Sequence, residues 1–499
     1  MRRLWIACTA SLLVSFSPVC AGVGVSDLRC DASMERDVWA AWKEVVEPFI
    51  RHDVVQDRLR AQRDTRALYD FQTYTHNLVA MAQRCRRVDR LREIAGAVRE
   101  AYAALEAGGS KGRSWVCRGG RVCTSRNRLL NTEVQLYSAQ FLGLATSVAN
   151  ALATSQSSPS AFDKDFIEET GAIALEHLLR WGSEPVIESL LEKATYSPEA
   201  VAGASAQLFF TDKHLWQIAI YSELGGILDA TKTAGRGPAA RIPSADWRRL
   251  QNHYRALMTF FLARVTLWLP RPGGSVSAPL GDLDRGFWRL YPDSRYAGYS
   301  GSESPVRCAA SAEGKVLPET ILPPEVVPVL SETGWDISHA RRLVHALSAW
   351  QRNEDAVLQV WGRTDRYISP SVLTRAFANN IVAHVWNGDS RFPLFSNYFS
   401  GANGWYRVAW DDGTGQCREG TPPFGLSSSF VTGGFVTWAR YQPTIGDLAL
   451  RLYALFDSER PDDIAFVERY YSSLRKTAKG RASLLERLMF WPSLVGSMR

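Results

Sequence analysis

The chain has 499 residues, a net charge of +7 and 46% apolar residues, length enough to bury a large core as one domain or two. Its basic residues are mostly arginine, which suits planar anions such as carboxylates, and they form no long basic run, which argues against nucleic acid as a partner. Past the N-terminus no stretch offers the ~20 uninterrupted apolar residues of a transmembrane segment; the best, Met258 to Leu269, contains Arg264.

Met1-Arg2-Arg3, an apolar run from Leu4 to Val19, and then Cys20-Ala21-Gly22 with small residues at Val19 and Ala21 read as a signal peptide over 1–21. Residues 22–499 are then expected to be one large helical domain, periplasmic or secreted, with a net charge of +5 once Arg2 and Arg3 leave. Loss of Cys8 and Cys20 leaves Cys30, Cys85, Cys117, Cys123, Cys308 and Cys417, an even set that fits three disulfides in an oxidising compartment. A metal site is disfavoured because no second close-spaced Cys or His pair accompanies them. Sequence alone does not choose among the pairings. The turn Arg118-Gly119-Gly120-Arg121 favours Cys117 with Cys123, and position then suggests Cys30 with Cys85 and Cys308 with Cys417.

Amphipathic periodicity predicts helices over about 34–62, 65–84, 88–107, 128–153, 162–181, 205–231, 245–269, 337–351, 370–387, 426–440, 444–456, 462–477 and 481–490. This is an all-α chain. In 128–153, Leu129, Val134, Tyr137, Phe141, Leu144 and Val148 recur as a stripe that needs a covering neighbour. Ser369-Pro370 and Asn387-Gly388 punctuate one helix as caps do. Two stretches break the pattern. Residues 270–333 are Pro- and Gly-rich but carry Phe287, Trp288, Arg289, Tyr291, Tyr296 and Tyr299, and read as a long ordered loop; residues 389–425 are rich in Gly, Asn and aromatic rings.

About a dozen helices in hairpin succession over residues 34–490, in an exported chain with seventeen Trp and seventeen Tyr, resemble the (α/α) toroid enzymes, the fold of many polysaccharide lyases and inverting glycoside hydrolases. The resemblance is one of architecture, and no catalytic residue is carried over from it. It implies a carbohydrate-active enzyme with its cleft at one mouth of the barrel.

Three constellations carry chemistry-bearing residues. In Gly334-Trp335-Asp336-Ile337-Ser338-His339-Ala340-Arg341-Arg342, a helix starting near Asp336 places Asp336, His339 and Arg342 on one face at three-residue spacing: a base, a carboxylate to orient it and a guanidinium to bind an anion. The bland alternative is an N-cap, a first-turn histidine and solvated arginines. In Phe377 to Asp389, the core row Leu373, Phe377, Ile381 and Val385 leaves Asn379, Asn380, His384 and Asn387 for packing or for a sugar cleft. In Phe395 to Arg407, Asn403, Trp405 and Tyr406 sit among glycines, a composition suited to polyhydroxylated ligands or to plugging one end of the core. Lesser clusters are Lys213-His214-Trp216 with Tyr221 and Glu223, and Trp288-Arg289 with Arg295, Tyr296 and Tyr299. The sequence has no Gly-rich phosphate loop, HExxH or Gly-x-Ser-x-Gly motif, so no nucleotide, redox cofactor or metal is expected.

The expected partner is therefore a polysaccharide or oligosaccharide, anionic given the positive charge. A lyase on a uronic-acid polymer needs a carboxylate neutraliser, a base and an acid: Arg342, Asn379 or Asn380 for the first, His339 or His384 for the second, Tyr299 or Tyr406 for base or acid. The alternative, an inverting hydrolase, needs two carboxyls roughly 6.5–9.5 Å apart, drawn from Asp336, Asp389, Asp411, Asp412 and Glu223. A third reading is a non-catalytic polysaccharide-binding or scaffold protein.

Overall fold

A computed structural model describes residues 25–108, 112–155, 158–201, 206–232, 242–270, 278–290, 299–301, 303–312, 315–322, 330–411, 416–478 and 480–498. The expected signal peptide lies outside them, as do Tyr291, Arg295, Tyr296 and Asp412. Sixteen α-helices run through the described residues: α1 (Ser33–Ala41), α2 (Arg66–Arg84), α3 (Val88–Tyr102), α4 (Gln135–Ala153), α5 (Ala161–Trp181), α6 (Glu184–Lys193), α7 (Asp212–Thr231), α8 (Ser244–Arg264), α9 (Ile337–Ala340), α10 (Arg342–Arg352), α11 (Glu354–Trp361), α12 (Pro370–Asn380), α13 (Ser428–Thr432), α14 (Pro443–Phe456), α15 (Pro461–Tyr470) and α16 (Arg481–Leu494). The protein is mostly helical, and none of these helices is long and apolar enough to cross a membrane.

Several boundaries differ from the periodicity reading for local reasons. The helix expected at 128 starts at Gln135, because Arg128 and Asn131 take left-handed φ of 59° and 65° and Thr132–Glu133 (β4) pairs with Val116–Cys117 (β3). The helix expected to reach 269 stops at Arg264, where β-branched Val265 and Thr266 open a strand, Val265–Trp268 (β5), paired with Leu280–Leu283 (β6). Helix α12 ends at Asn380 and the chain continues to Val385 as a π-turn. Helices α6 and α11 were not anticipated. Each buries only two side chains, Ile187 with Leu190 and Val357 with Trp361, so neither writes a strong apolar stripe.

The remaining strands are short hairpins: Glu106–Ala107 (β1) with Arg113–Ser114 (β2), Val306–Ala310 (β7) with Val316–Thr320 (β8), and Trp410–Asp411 (β9) with Cys417–Arg418 (β10). Three disulfides join Cys30 to Cys85, Cys117 to Cys123 and Cys308 to Cys417, with Cα separations of 5.3, 5.4 and 5.7 Å. The last ties β7 to β10, and so fastens the first irregular stretch onto the second.

Helices α2, α4, α7 and α10 pack against one another in that order. From α10 the contacts pass to the 3-10 segment Phe435–Arg440, then to α16, and α16 packs back on α2. The expected stripe on α4 is instead burial nearly all round, as befits a helix with neighbours on every side. Small residues allow that approach: a Cβ at Gly143 would fall 2.6 Å from the Trp216 ring of α7.

Candidate functional site

One cavity of about 240 Å³ collects the first constellation and part of the third; among its lining residues are Asp212, Trp335, Asp336, His339, Tyr406 and Arg407. Asp336 is the N-cap of α9, with extended backbone (φ −74°, ψ 156°), and its Oδ1 accepts the backbone N–H groups of Ser338 at 3.0 Å and His339 at 3.1 Å. The Ser338 hydroxyl donates to the same oxygen. Its other oxygen, Oδ2, lies 2.6 Å from His339 Nδ1. Burial by itself would push this carboxyl up. The adjacent His339 ring, the hydrogen bonds from His339 and Ser338 and the charge of Arg407 override it and hold Asp336 well below the usual carboxylate range.

The Tyr406 hydroxyl is 3.3 Å from the same His339 nitrogen. The shorter contact decides the tautomer: Nδ1–H donates to Asp336, the Tyr406 oxygen accepts at most a second branch of that N–H, and the lone pair of a neutral ring then lies on Nε2. Arg407 follows with a left-handed φ of 52°. Its guanidinium stands 5.2 Å from the Tyr406 ring and 4.7 Å from the Trp410 ring.

Backbone pairing brings these distant segments together. Ile337 N–H donates to Asn397 O at 2.8 Å and Phe399 N–H to Trp335 O at 2.7 Å. Tyr406 and Thr421 exchange both backbone hydrogen bonds, at 2.9 and 2.7 Å. The Trp335 indole is held by Asp284 at 3.0 Å, itself paired at 3.3 Å with the buried Arg264. Gly334 approaches that support so closely that a Cβ would meet Leu283 O at 2.9 Å.

Of the sequence candidates, Asp336, His339, Tyr406 and Trp288 line this cavity. Arg342 lies beneath it, 3% exposed, donating to Ser338 O and to the Tyr69 hydroxyl at 2.8 Å each and standing 3.5 Å from Asp212. Burial would raise the Tyr69 phenol, but the guanidinium groups of Arg342, Arg341 and Arg66 outweigh it and bring it down to about 8.

The others are placed elsewhere. Tyr299 packs in a small separate cluster with Val306, Val408 and Ala409. Trp405 pairs with Tyr299 and donates its indole N–H to Gly301 O at 3.2 Å. Asn403 accepts the N–H groups of Asn397 and Phe424. Asn379 and Asn380 serve packing, through Pro279 O and Phe399 O. Asn387 organises its own turn by accepting from Asp389 and Leu394. His384 is exposed and stacks on Trp268 with ring centroids 6.1 Å apart. Arg289 pairs at the surface with Glu199, 3.2 Å away. Asp389 is exposed, and Glu223 is buried against Asn150, Arg352 and Asn353.

Asp212 is the residue that sequence reasoning missed. It opens α7 beside Thr211, whose N–H donates to His214 Nδ1 at 2.9 Å; that reciprocal start, Thr-x-x-His, was the available signal. No protein family, curated protein or solved structure matches the chain.

Proposed function

We propose that the protein is an exported carbohydrate-active enzyme that cleaves a uronic-acid-containing polysaccharide by β-elimination at the Asp336–His339–Tyr406 cavity. The observation that carries this reading is the 2.6 Å Asp336–His339 contact with Tyr406 at 3.3 Å from the same ring, in a cavity walled by Trp288, Trp335 and Tyr398 and bordered by Arg407. The circuit of α2, α4, α7, α10 and α16 supports an (α/α) toroid with this cavity at one mouth. Three disulfides fit an oxidising, periplasmic or secreted setting.

In this reading Arg407 pairs with the uronate carboxylate and lowers the barrier to losing the neighbouring proton. His339 Nε2 takes the C5 proton. The electron pair forms the C4=C5 bond, the C4–O bond breaks, and the Tyr406 hydroxyl gives its proton to the departing oxygen. Asp336 keeps the ring in one tautomer and stabilises the imidazolium that forms. Aromatic walls stack on the apolar faces of sugar rings.

A second reading rests on one observation: Asp212 and Asp336 line the same cavity. An inverting hydrolase would use ionised Asp336 as base toward water and Asp212 as acid, a role for which Asp212 must hold a proton against the Arg342 guanidinium 3.5 Å away. The test is a panel of anionic and neutral polysaccharides followed by ultraviolet absorbance of unsaturated uronate ends and by reducing ends. A rise in both on an anionic polymer supports elimination. Reducing ends without the absorbance select hydrolysis, and silence across the panel leaves a non-catalytic binding protein.

A further inference from the structure

The proposed elimination leaves part of its substrate without a partner. In a 4-linked uronate unit, C1 and C4 carry the linkages, C5 loses its proton to His339, and the C6 carboxylate pairs with Arg407. Only the hydroxyls at C2 and C3 remain to be recognised. Polar groups that leave water need new hydrogen bonds, so the cavity has to supply partners for them.

Asp212 is the cavity residue with that capacity. It lines the cavity together with Asp336 and His339, but its surroundings differ from those of Asp336. Both Asp336 oxygens are occupied, Oδ1 by the Ser338 and His339 N–H groups and the Ser338 hydroxyl, Oδ2 by His339 Nδ1. The Asp212 side chain is 11% exposed. No hydrogen bond among the described residues reaches its carboxylate, and neither oxygen is sealed off from the cavity.

Arg342 Nη2 stands 3.5 Å from Asp212 Oδ2, longer than a good hydrogen bond but near enough to act as a countercharge. That guanidinium makes its short contacts elsewhere, with Ser338 O and the Tyr69 hydroxyl at 2.8 Å each. Asp212 also sits in the first turn of α7, where the helix N-terminus favours a negative side chain. An ionised carboxylate offers only acceptors. It pairs with hydroxyl groups and repels an anionic group put in their place.

We infer that Asp212 is a specificity-determining residue: it accepts a hydrogen bond from the C2 or C3 hydroxyl of the uronate unit in the cavity, and so restricts the enzyme to polyuronates free of sulfate at these positions. The inference rests on the elimination reading of the cavity. The one carboxylate of each unit meets Arg407, whereas a sulfate ester on C2 or C3 would meet Asp212. A site built to pair with a hydroxyl discriminates sharply against a unit that lacks it.

The test compares kcat/KM, read from the ultraviolet absorbance of unsaturated ends, for the full-length mature protein on a 4-linked polyuronate and on the same polymer O-sulfated at C2 and C3. The parent is expected to lose about a hundredfold or more on sulfation. Asp212→Asn should raise KM on the unsubstituted polymer about tenfold with kcat little changed. It should also shrink the sulfation penalty about tenfold or more, because the amide carries no charge and donates to a sulfate oxygen. Loss of stability alone does not move this ratio between two substrates. The inference is overturned if the parent ignores sulfation or if Asp212→Asn keeps the parent's ratio. A fall in kcat of about 10³-fold or more on both polymers at unchanged KM also overturns it, and makes Asp212 the acid of the hydrolase reading. Should Asp212→Asn not fold, calorimetry on His339→Ala, which keeps Asp212, decides: binding of an unsubstituted oligouronate about tenfold or more tighter than of its sulfated form supports the inference, and equal affinities overturn it. If the parent releases no unsaturated ends from unsubstituted polyuronates, the elimination reading fails and takes this inference with it; a failure confined to the sulfation ratio leaves that reading standing.

Discussion

Asp336 Oδ2 sits 2.6 Å from His339 Nδ1 while Asp336 Oδ1 caps the backbone N–H of the same histidine at 3.1 Å. One carboxylate thus starts the helix and fixes the ring, so structure and chemistry are coupled at a single residue. Asp336→Asn keeps a capping oxygen but loses the charge-assisted contact to His339, and is expected to cost about 1–3 kcal/mol of stability. It removes the charge that favours the imidazolium, and turnover should fall ~10²–10⁴-fold. Thermal melts beside steady-state kinetics separate the two effects.

Arg342 binds Ser338 O, the Tyr69 hydroxyl and the neighbourhood of Asp212 from a buried position. Arg342→Met is expected to destabilise by roughly 3–5 kcal/mol, because it leaves the Asp212 carboxylate without the buried cation beside it and removes the hydrogen bond to Tyr69. Denaturant unfolding checks this; a loss below about 1 kcal/mol would mean that solvent replaces the guanidinium there.

The first and second constellations show what spacing alone conveys. Asp336 and His339 were legible because a cap and a first-turn residue are set by local geometry. Spacing conveyed less for Asn380 and His384: α12 gives way to a π-turn after Asn380, so His384 points outward while the Asn380 amide donates to Phe399 O. Tyr406 was legible only as composition, since its partner Thr421 and the β9–β10 hairpin are chosen by tertiary contacts. Asp212 comes from a helix start more than a hundred residues upstream of Asp336, and no periodicity links the two. The helices were legible wherever they bury a broad apolar face, and the disulfide pairs that position only suggested are the ones the structure forms.

Stability should respond to pH in two separate windows. Burial raises Asp282 to about 7, despite Arg285 and the Leu283 N–H. A folded pKa above the unfolded one, about 3.9, means its contribution is complete below pH ~3.9 and lost as pH rises toward 7. Asp336 has the opposite sign: its folded pKa is depressed, so its contribution is present above pH ~3.9 and lost as pH falls further. These two contributions sit on a larger background: burial brings His76, His177, His214 and His253 each down to about 3, a stability present above pH ~6.5 and lost as pH falls, so melting temperatures should decline in acid. Asp282→Asn should lower stability relative to the parent more at pH ~4 than at pH ~8, and Asp336→Asn the reverse.

The Cys308–Cys417 bridge closes a separation of 109 residues and holds β10, three residues before Thr421, the backbone partner of Tyr406. Replacing both cysteines by serine is expected to cost about 2–4 kcal/mol. Turnover should fall more than binding, since Tyr406 loses its support. Melting temperature, kcat and KM of the double variant test this together.

The central claim is bond cleavage by elimination, and the source of the oxygen in the products tests it most directly. Digestion of a uronic-acid polymer in heavy-oxygen water, followed by mass spectrometry of the new ends, should give fragments one water lighter than hydrolysis products and free of label beyond ordinary exchange. Incorporation of one heavy oxygen per cut, with no unsaturated end, would contradict the account and move the chemistry to Asp212 and Asp336.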